Sequence, residues 1–127
     1  MNSVHIKYEV ISEIRHGSPY NLAKLYVADN SFYIQPDAHW QDKHAWSQDN
    51  RYLAQIQWAI NNDEPGFFIM MFDRATGEVV RSKRIIGCCN ELFLGNDLII
   101  HYETYTLVSF KNEKQKYGLV KGTIQMI

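Results

Sequence analysis

The chain has 127 residues, 46% hydrophobic and 21% charged, which suits a single domain that buries its own core without disulfide or metal staples. Thirteen basic residues against fourteen acidic ones leave a formal net charge of -1, which excludes the broad positive field of a nucleic-acid binder. No apolar run approaches the roughly 20 residues of a membrane-spanning helix, and the N-terminal MNSVHIKYEVI lacks the apolar centre of a signal peptide, so a cytoplasmic protein is expected.

In chain order, VHIKYEVI alternates over Val4, Ile6, Tyr8 and Val10, the period of a strand with one buried face. SPYNLAKLY is the one competing helix signal, with Ser18 placed to cap and Pro19 to open two to three turns at most. KLYVADNSFYIQ reads as two short strands around Asp29-Asn30, and PDAHWQDKH as a polar loop that leaves Trp40 outside any strand and exposed. The stretch AWSQDNRYLAQIQWAI fits two periods. A helix from Arg51 would be too short and too apolar all round, whereas a strand over residues 51–60 is bounded by Asp49-Asn50 and by Asn61 to Gly66. FFIMMFD, the RATGE turn with Gly77, and VVRSKRII continue the meander. LFLGNDLIIHYETYTLVSF and YGLVKGTIQMI close the chain. Pro19, Pro36 and Pro65 all fall in the proposed loops, as a β reading requires. The expectation is an all-β chain of about ten antiparallel strands with little helix.

The segment Trp46-Ser47-Gln48-Asp49-Asn50-Arg51-Tyr52-Leu53-Ala54, followed by Ile69 to Asp73 and by Thr76-Gly77, resembles one blade of a WD-repeat β-propeller. The likeness covers residues 46–80, and a weaker echo sets an Asn96-Asp97 turn 47 residues after Asp49-Asn50, near the blade period of roughly 40–45. A closed propeller takes about four blades or more, and this chain holds material for about two to two and a half. The resemblance therefore implies an incomplete propeller or a twisted β-sandwich of blade-like meanders with open sheet edges, which invite partners.

Catalytic patterns are sparse. Asp37, His39, Asp42 and His44 form a doubled Asp-x-His that could offer oxygen and nitrogen to a metal, but a solvated loop is the preferred reading, with no metal and no cofactor expected. Cys88-Cys89 has no nucleophile elbow or activating base beside it and reads as a pair of buried thiols; His101 reads as a strand histidine, and His5 and His16 carry no context. Surface character is more informative. From Asp29 to Asn50 the acids Asp29, Asp37, Asp42 and Asp49 face only Lys43 and alternate with Phe32, Tyr33, Trp40 and Trp46, and Asp63 and Glu64 extend the acidity. Tyr33, Asp37, Trp40, Asp42, Asp63 and Glu64 are thus the expected partner-binding set, aromatic anchors with a carboxylate rim suited to a basic protein. The segment Lys111 to Lys121 is net basic and is expected to stand apart from it. The resemblance of type is to small bacterial immunity proteins, non-enzymatic neutralisers of a cognate toxin, here a nuclease with a basic cleft. A ligand-binding barrel or sandwich and a metal-dependent hydrolase built on the Asp-x-His pairs are the alternatives.

Overall fold

The computed structural model describes residues 1–29, 33–112 and 114–127, so Asn30 and Phe32 of the predicted turn and strand lie outside the described residues. Among the described residues there are ten strands and no helix: β1 (Ile6–Glu13), β2 (Asn21–Val27), β3 (Trp40–Trp46), β4 (Tyr52–Trp58), β5 (Gly66–Asp73), β6 (Val79–Arg81), β7 (Ile85–Ile86), β8 (Cys88–Leu94), β9 (Ile99–Lys111) and β10 (Lys114–Gln125). All pairings are antiparallel. Six strands lie side by side in chain order, β1 to β6, with β7 added against β5, and β10-β9-β8 forms a second sheet. Neither sheet closes into a barrel, and the all-β expectation holds in the form of a twisted sandwich.

The stretch over β4 takes the period of two. Ala54 and Ile56 point to one side, where they pack with Phe67, Ile69 and Met71 of β5 against Cys89, Leu94 and Ile100 of the second sheet. Leu53 and Phe72 point to the other side and meet Leu25 and Trp40, with Ile6 and Tyr8 of the first hairpin laid over them. The β4–β5 hairpin is therefore buried on both faces, each fully buried large side chain contributing about 1.5–3 kcal/mol of transfer free energy. A third cluster of Tyr20, Trp58 and Cys88 seals one end, where Trp58 Nε1 donates to Asn21 O at 2.9 Å. The strand is shorter than residues 51–60, and Ile60 lies exposed beyond it.

Gln55 points away from Ala54 and Ile56 as alternation demands, yet it is fully buried. Its Nε2 donates to Gln41 O at 2.7 Å and to Ile56 O at 3.0 Å, and its Oε1 accepts from Tyr8 Oη at 2.6 Å. With that proton committed, His44 Nδ1, 2.8 Å from the Tyr8 oxygen, is the donor of its bond. Gln41 Nε2 in turn donates to Cys89 O at 2.6 Å. A polar chain thus runs from β1 through β3 and β4 to β8, crossing the packed layers.

The one competing helix signal, SPYNLAKLY, holds no helix; Ala23 and Leu25 are buried while Lys24 and Tyr26 are exposed, a period of two set by packing on β3 and β4. Two expectations fail here. VVRSKRII is not one strand but β6 and β7, divided at Ser82, whose Oγ caps Ile69 N at 2.9 Å. PDAHWQDKH is not a loop throughout, because β3 starts at Trp40, and Trp40 is 2% exposed against Leu53 and Phe72, with its ring 6.4 Å from that of Phe72. A strand as polar as WQDKHAW persists because its side chains find fixed partners: Gln41 and His44 as above, Asp42 with Asn21 Nδ2 at 3.1 Å, and Lys43 Nζ with Asn90 O at 2.7 Å.

The residues of the blade-like segment are wired into turns. Asp49 Oδ1 accepts from Ser47 Oγ at 2.7 Å and Arg51 N at 3.1 Å, Asn50 takes φ 60°, and Arg51 reaches across to grip Asp73 through Nε and Nη2 at 2.9 and 3.0 Å. That fork holds the Asp73 carboxyl down at about 2. Arg74 ties the same end together, bonding Asp29 at 2.6 Å, Asn2 O at 2.6 Å and Asn50 O at 2.8 Å.

Candidate functional site

The expected partner-binding set does not assemble as one surface. Trp40 is core. Tyr33 is 74% exposed and Asp37 is exposed on the segment before β3, whereas Asp42 is partly buried and engaged by Asn21. Asp63 and Glu64 sit in the β4–β5 loop, where Arg15 donates to Asp63 O and Arg84 holds Glu64 through Oε1 at 2.9 Å and O at 2.8 Å. The doubled Asp-x-His is likewise dispersed, with His39 exposed, His44 turned inward to Tyr8, and burial lowering the His44 pKa. Among the described residues no group of three or more His, Cys, Asp or Glu side chains is arranged to hold a metal ion. Cys88 and Cys89 are buried free thiols, pushed up to about 11 and about 12 by that burial, so they stay protonated and unreactive at neutral pH.

The surface that does assemble lies on the second sheet. Its inner face, with Leu94, Ile100 and Thr104, packs on the core, and alternation turns the intervening residues outward. Register then places them. Phe93 stands opposite His101, Lys121 opposite Glu103, Leu119 opposite Tyr105, and Tyr117 opposite Leu107. The Tyr105 and Tyr117 rings stack at 5.7 Å and 19°, and Phe93 tilts against His101 at 6.0 Å. Phe93, Tyr105, Leu107, Tyr117 and Leu119 are 63, 41, 42, 42 and 55% exposed. Two apolar patches thus flank a charged band of Glu91, Glu103 and Lys121, where Glu103 is steadied by Asn90 Nδ2 at 2.7 Å.

At the Tyr105 end this face runs into a cleft of about 810 Å³. Its walls are the β1–β2 turn with Arg15 and Tyr20, the β4–β5 loop with Asp63, and Tyr105 and Tyr117. Gly87, between β7 and β8, also lines the cleft. Gly87 has φ 115°, and a Cβ there would lie 2.6 Å from Thr104 Cγ2 and from Tyr105 O, so only glycine lets β8 start so close to β9. Tyr20 lies 6.0 Å from Tyr105 and donates to Asn90 Oδ1 at 2.9 Å, which fixes the back wall.

Of the expected set, Asp63 and Glu64 line this cleft, beside tyrosines that the set did not contain. Tyr105 and Tyr117 were hidden because both lie in regular alternation within strands. Nothing in either strand alone shows that the two outward positions become neighbours across a hairpin. The geometry offers packing area, hydroxyl groups and a carboxylate, which suit recognition. No protein-family model matches the chain, and neither the curated proteins nor the solved structures give a match, so the reading of this surface rests on its own geometry.

Proposed function

We propose that this protein is a non-catalytic binding protein, of the type of small cytoplasmic immunity proteins that neutralise a toxin of bacterial competition, and that the outer face of β8–β10 receives the partner. One observation carries the reading: five large apolar side chains, three of them aromatic, stand exposed in fixed register on a sheet face that ends in a cleft. Rigid aromatics supply contact area at low entropic cost, and the Glu91, Glu103, Lys121 band supplies register. Asp63 and Glu64 at the cleft offer carboxylates toward a basic nuclease partner. The concave apolar cleft also supports a second reading, capture of a small ligand.

The test is co-expression with the product of the adjacent reading frame. The immunity reading expects rescue of growth and a complex whose affinity falls about thirtyfold, about 2 kcal/mol, in Tyr105→Ala or Tyr117→Ala without loss of fold. A harmless neighbour, or a complex indifferent to both tyrosines, defeats it. A small molecule that stays with the purified chain and is released by Tyr20→Ala would move the assignment to the second reading.

A further inference from the structure

Edge strands expose unpaired backbone groups, and proteins usually blunt them with charges, bulges or covering loops. The edge at β1 is blunted, with a register shift between Val10 and Ser12 and with Lys7, Glu9 and Glu13 along eight residues. The β10 edge of the second sheet is different. Its register shift is confined to Lys116/Tyr117, so the nine residues Tyr117 to Gln125 run without interruption, with Lys121 as their one charge and with Leu119 and Val120 55 and 46% exposed.

That stretch is also symmetric in sequence. Gly118-Leu119-Val120-Lys121-Gly122 has glycines at equal distances on either side of Val120. We infer that β10 pairs antiparallel with β10 of a second copy about a two-fold axis at Val120, joining two three-stranded sheets into one continuous sheet of six. A two-fold perpendicular to a sheet keeps each side chain on its own face, so every opposed pair has an even sum of residue numbers, and centring on Val120 satisfies this. Gly118 then opposes Gly122, Leu119 opposes Lys121 so that the lysine stem covers the leucine, and Tyr117 opposes Thr123. Lys116 meets Ile124, and no lysine meets a lysine.

The glycines have a use in this register. A Cβ on Gly122 would lie 2.5 Å from the Tyr102 ring, so the ring is laid over the bare backbone. On the same inner face Ile124 and Met126 pack at the margin of the core, and a second strand beside them would complete their burial. Of the outer face proposed for the partner, Phe93, Tyr105 and Leu107 on β8 and β9 stay open in such a dimer, while Leu119 at its margin is covered by the second copy.

Sedimentation of the full chain from about 1 to 100 µM should show a mass rising toward twice that of the chain. Val120→Lys and Val120→Glu, at a position already half exposed, should each keep the β circular dichroism spectrum and weaken dimerisation by about tenfold or more, since like charges then meet on the axis. Mixing the two variants should restore the dimer, and Val10→Lys on β1 should leave it intact. Under oxidation Val120→Cys should cross-link to itself, its opposed Cα atoms being about 4.5–5.5 Å apart, whereas Leu119→Cys should cross-link only when mixed with Lys121→Cys. A wild-type chain that stays monomeric over the whole range overturns the proposal. So does a dimer untouched by Val120→Lys, or self-linking of Leu119→Cys.

Discussion

Replacing Tyr8 with phenylalanine removes one oxygen and leaves the ring to pack as before. That oxygen holds Gln55 Oε1 at 2.6 Å and His44 Nδ1 at 2.8 Å, and Gln55 is fully buried. Gln55 cannot turn its amide to compensate, because Nε2 is committed to Gln41 O and Ile56 O. The loss combines the net value of the bond, about 1 kcal/mol, with an acceptor left dry, about 1–3 kcal/mol, so about 2–4 kcal/mol in total is expected. For a chain of 127 residues the unfolding entropy is roughly 0.27 kcal/mol/K, and the melting temperature should fall by about 7–15 °C. Tyr26→Phe is the control: its hydroxyl reaches Glu9 at 3.2 Å on the exposed edge hairpin, and its removal should stay within about 0.5 kcal/mol. Urea and thermal unfolding of both variants decide the matter. Equal losses for the two, or less than about 0.5 kcal/mol for Tyr8→Phe, would refute the claim that the polar chain is closed through this hydroxyl.

Trp40→Ala should cost about 3–5 kcal/mol of stability, a core loss read by urea unfolding, rather than act on partner binding alone. Burial lowers the His44 pKa below the unfolded value of 6.5, so its contribution is complete above that pH and is lost as pH falls toward the folded value; the urea midpoint should drop between pH 7.5 and 5.5, and His44→Gln should flatten that slope. Asp73 acts in a lower window, since its fork with Arg51 contributes above 3.8 and fades as pH falls toward about 2, so Asp73→Asn should remove stability at pH 7 and little below pH 2. Cys88 and Cys89, raised to about 11 and about 12, should react with a thiol reagent at pH 8 only as fast as the chain opens, and at once in urea; labelling of the native chain within minutes would contradict their burial.

The strands that could be read from sequence were those whose alternation carries an apolar face. Ala54 and Ile56 against Gln55 and Gln57, the FFIMMFD run, and LIIHYETY all declare their period locally, and their turns carry Asp49-Asn50, Gly77 and Gly95-Asn96. β3 could not be read that way. Its polar side chains are paid for by partners 21 residues away at Asn21, 36 away at Tyr8 and 47 away at Asn90, and no window centred on Trp40 contains them. The same holds for the outer face, where Tyr105 and Tyr117 meet because the hairpin register carries a shift at Lys116/Tyr117. The exposure of Asp63 was legible because it sits in a loop, where composition and exposure go together; Trp40 was misplaced because aromatic rings among acids look alike in a loop and at the start of a buried strand.

Every hydrogen-bonded neighbour in both sheets is adjacent in the chain, apart from the short β7 against β5. No strand has to wait for a distant segment to supply its ladder, so loop closure is cheap at each step and the chain can assemble hairpin by hairpin from either end. The long-distance requirement falls on side chains instead, where β8 must dock on β3 and β4 through Cys89 and the Gln41 amide. The kinetic consequence is a refolding rate above the norm for sandwiches of this size, with a barrier set by the meeting of two preformed sheets: in stopped-flow refolding Gln41→Ala should slow folding, while Val10→Ala on the outer hairpin should leave the rate unchanged.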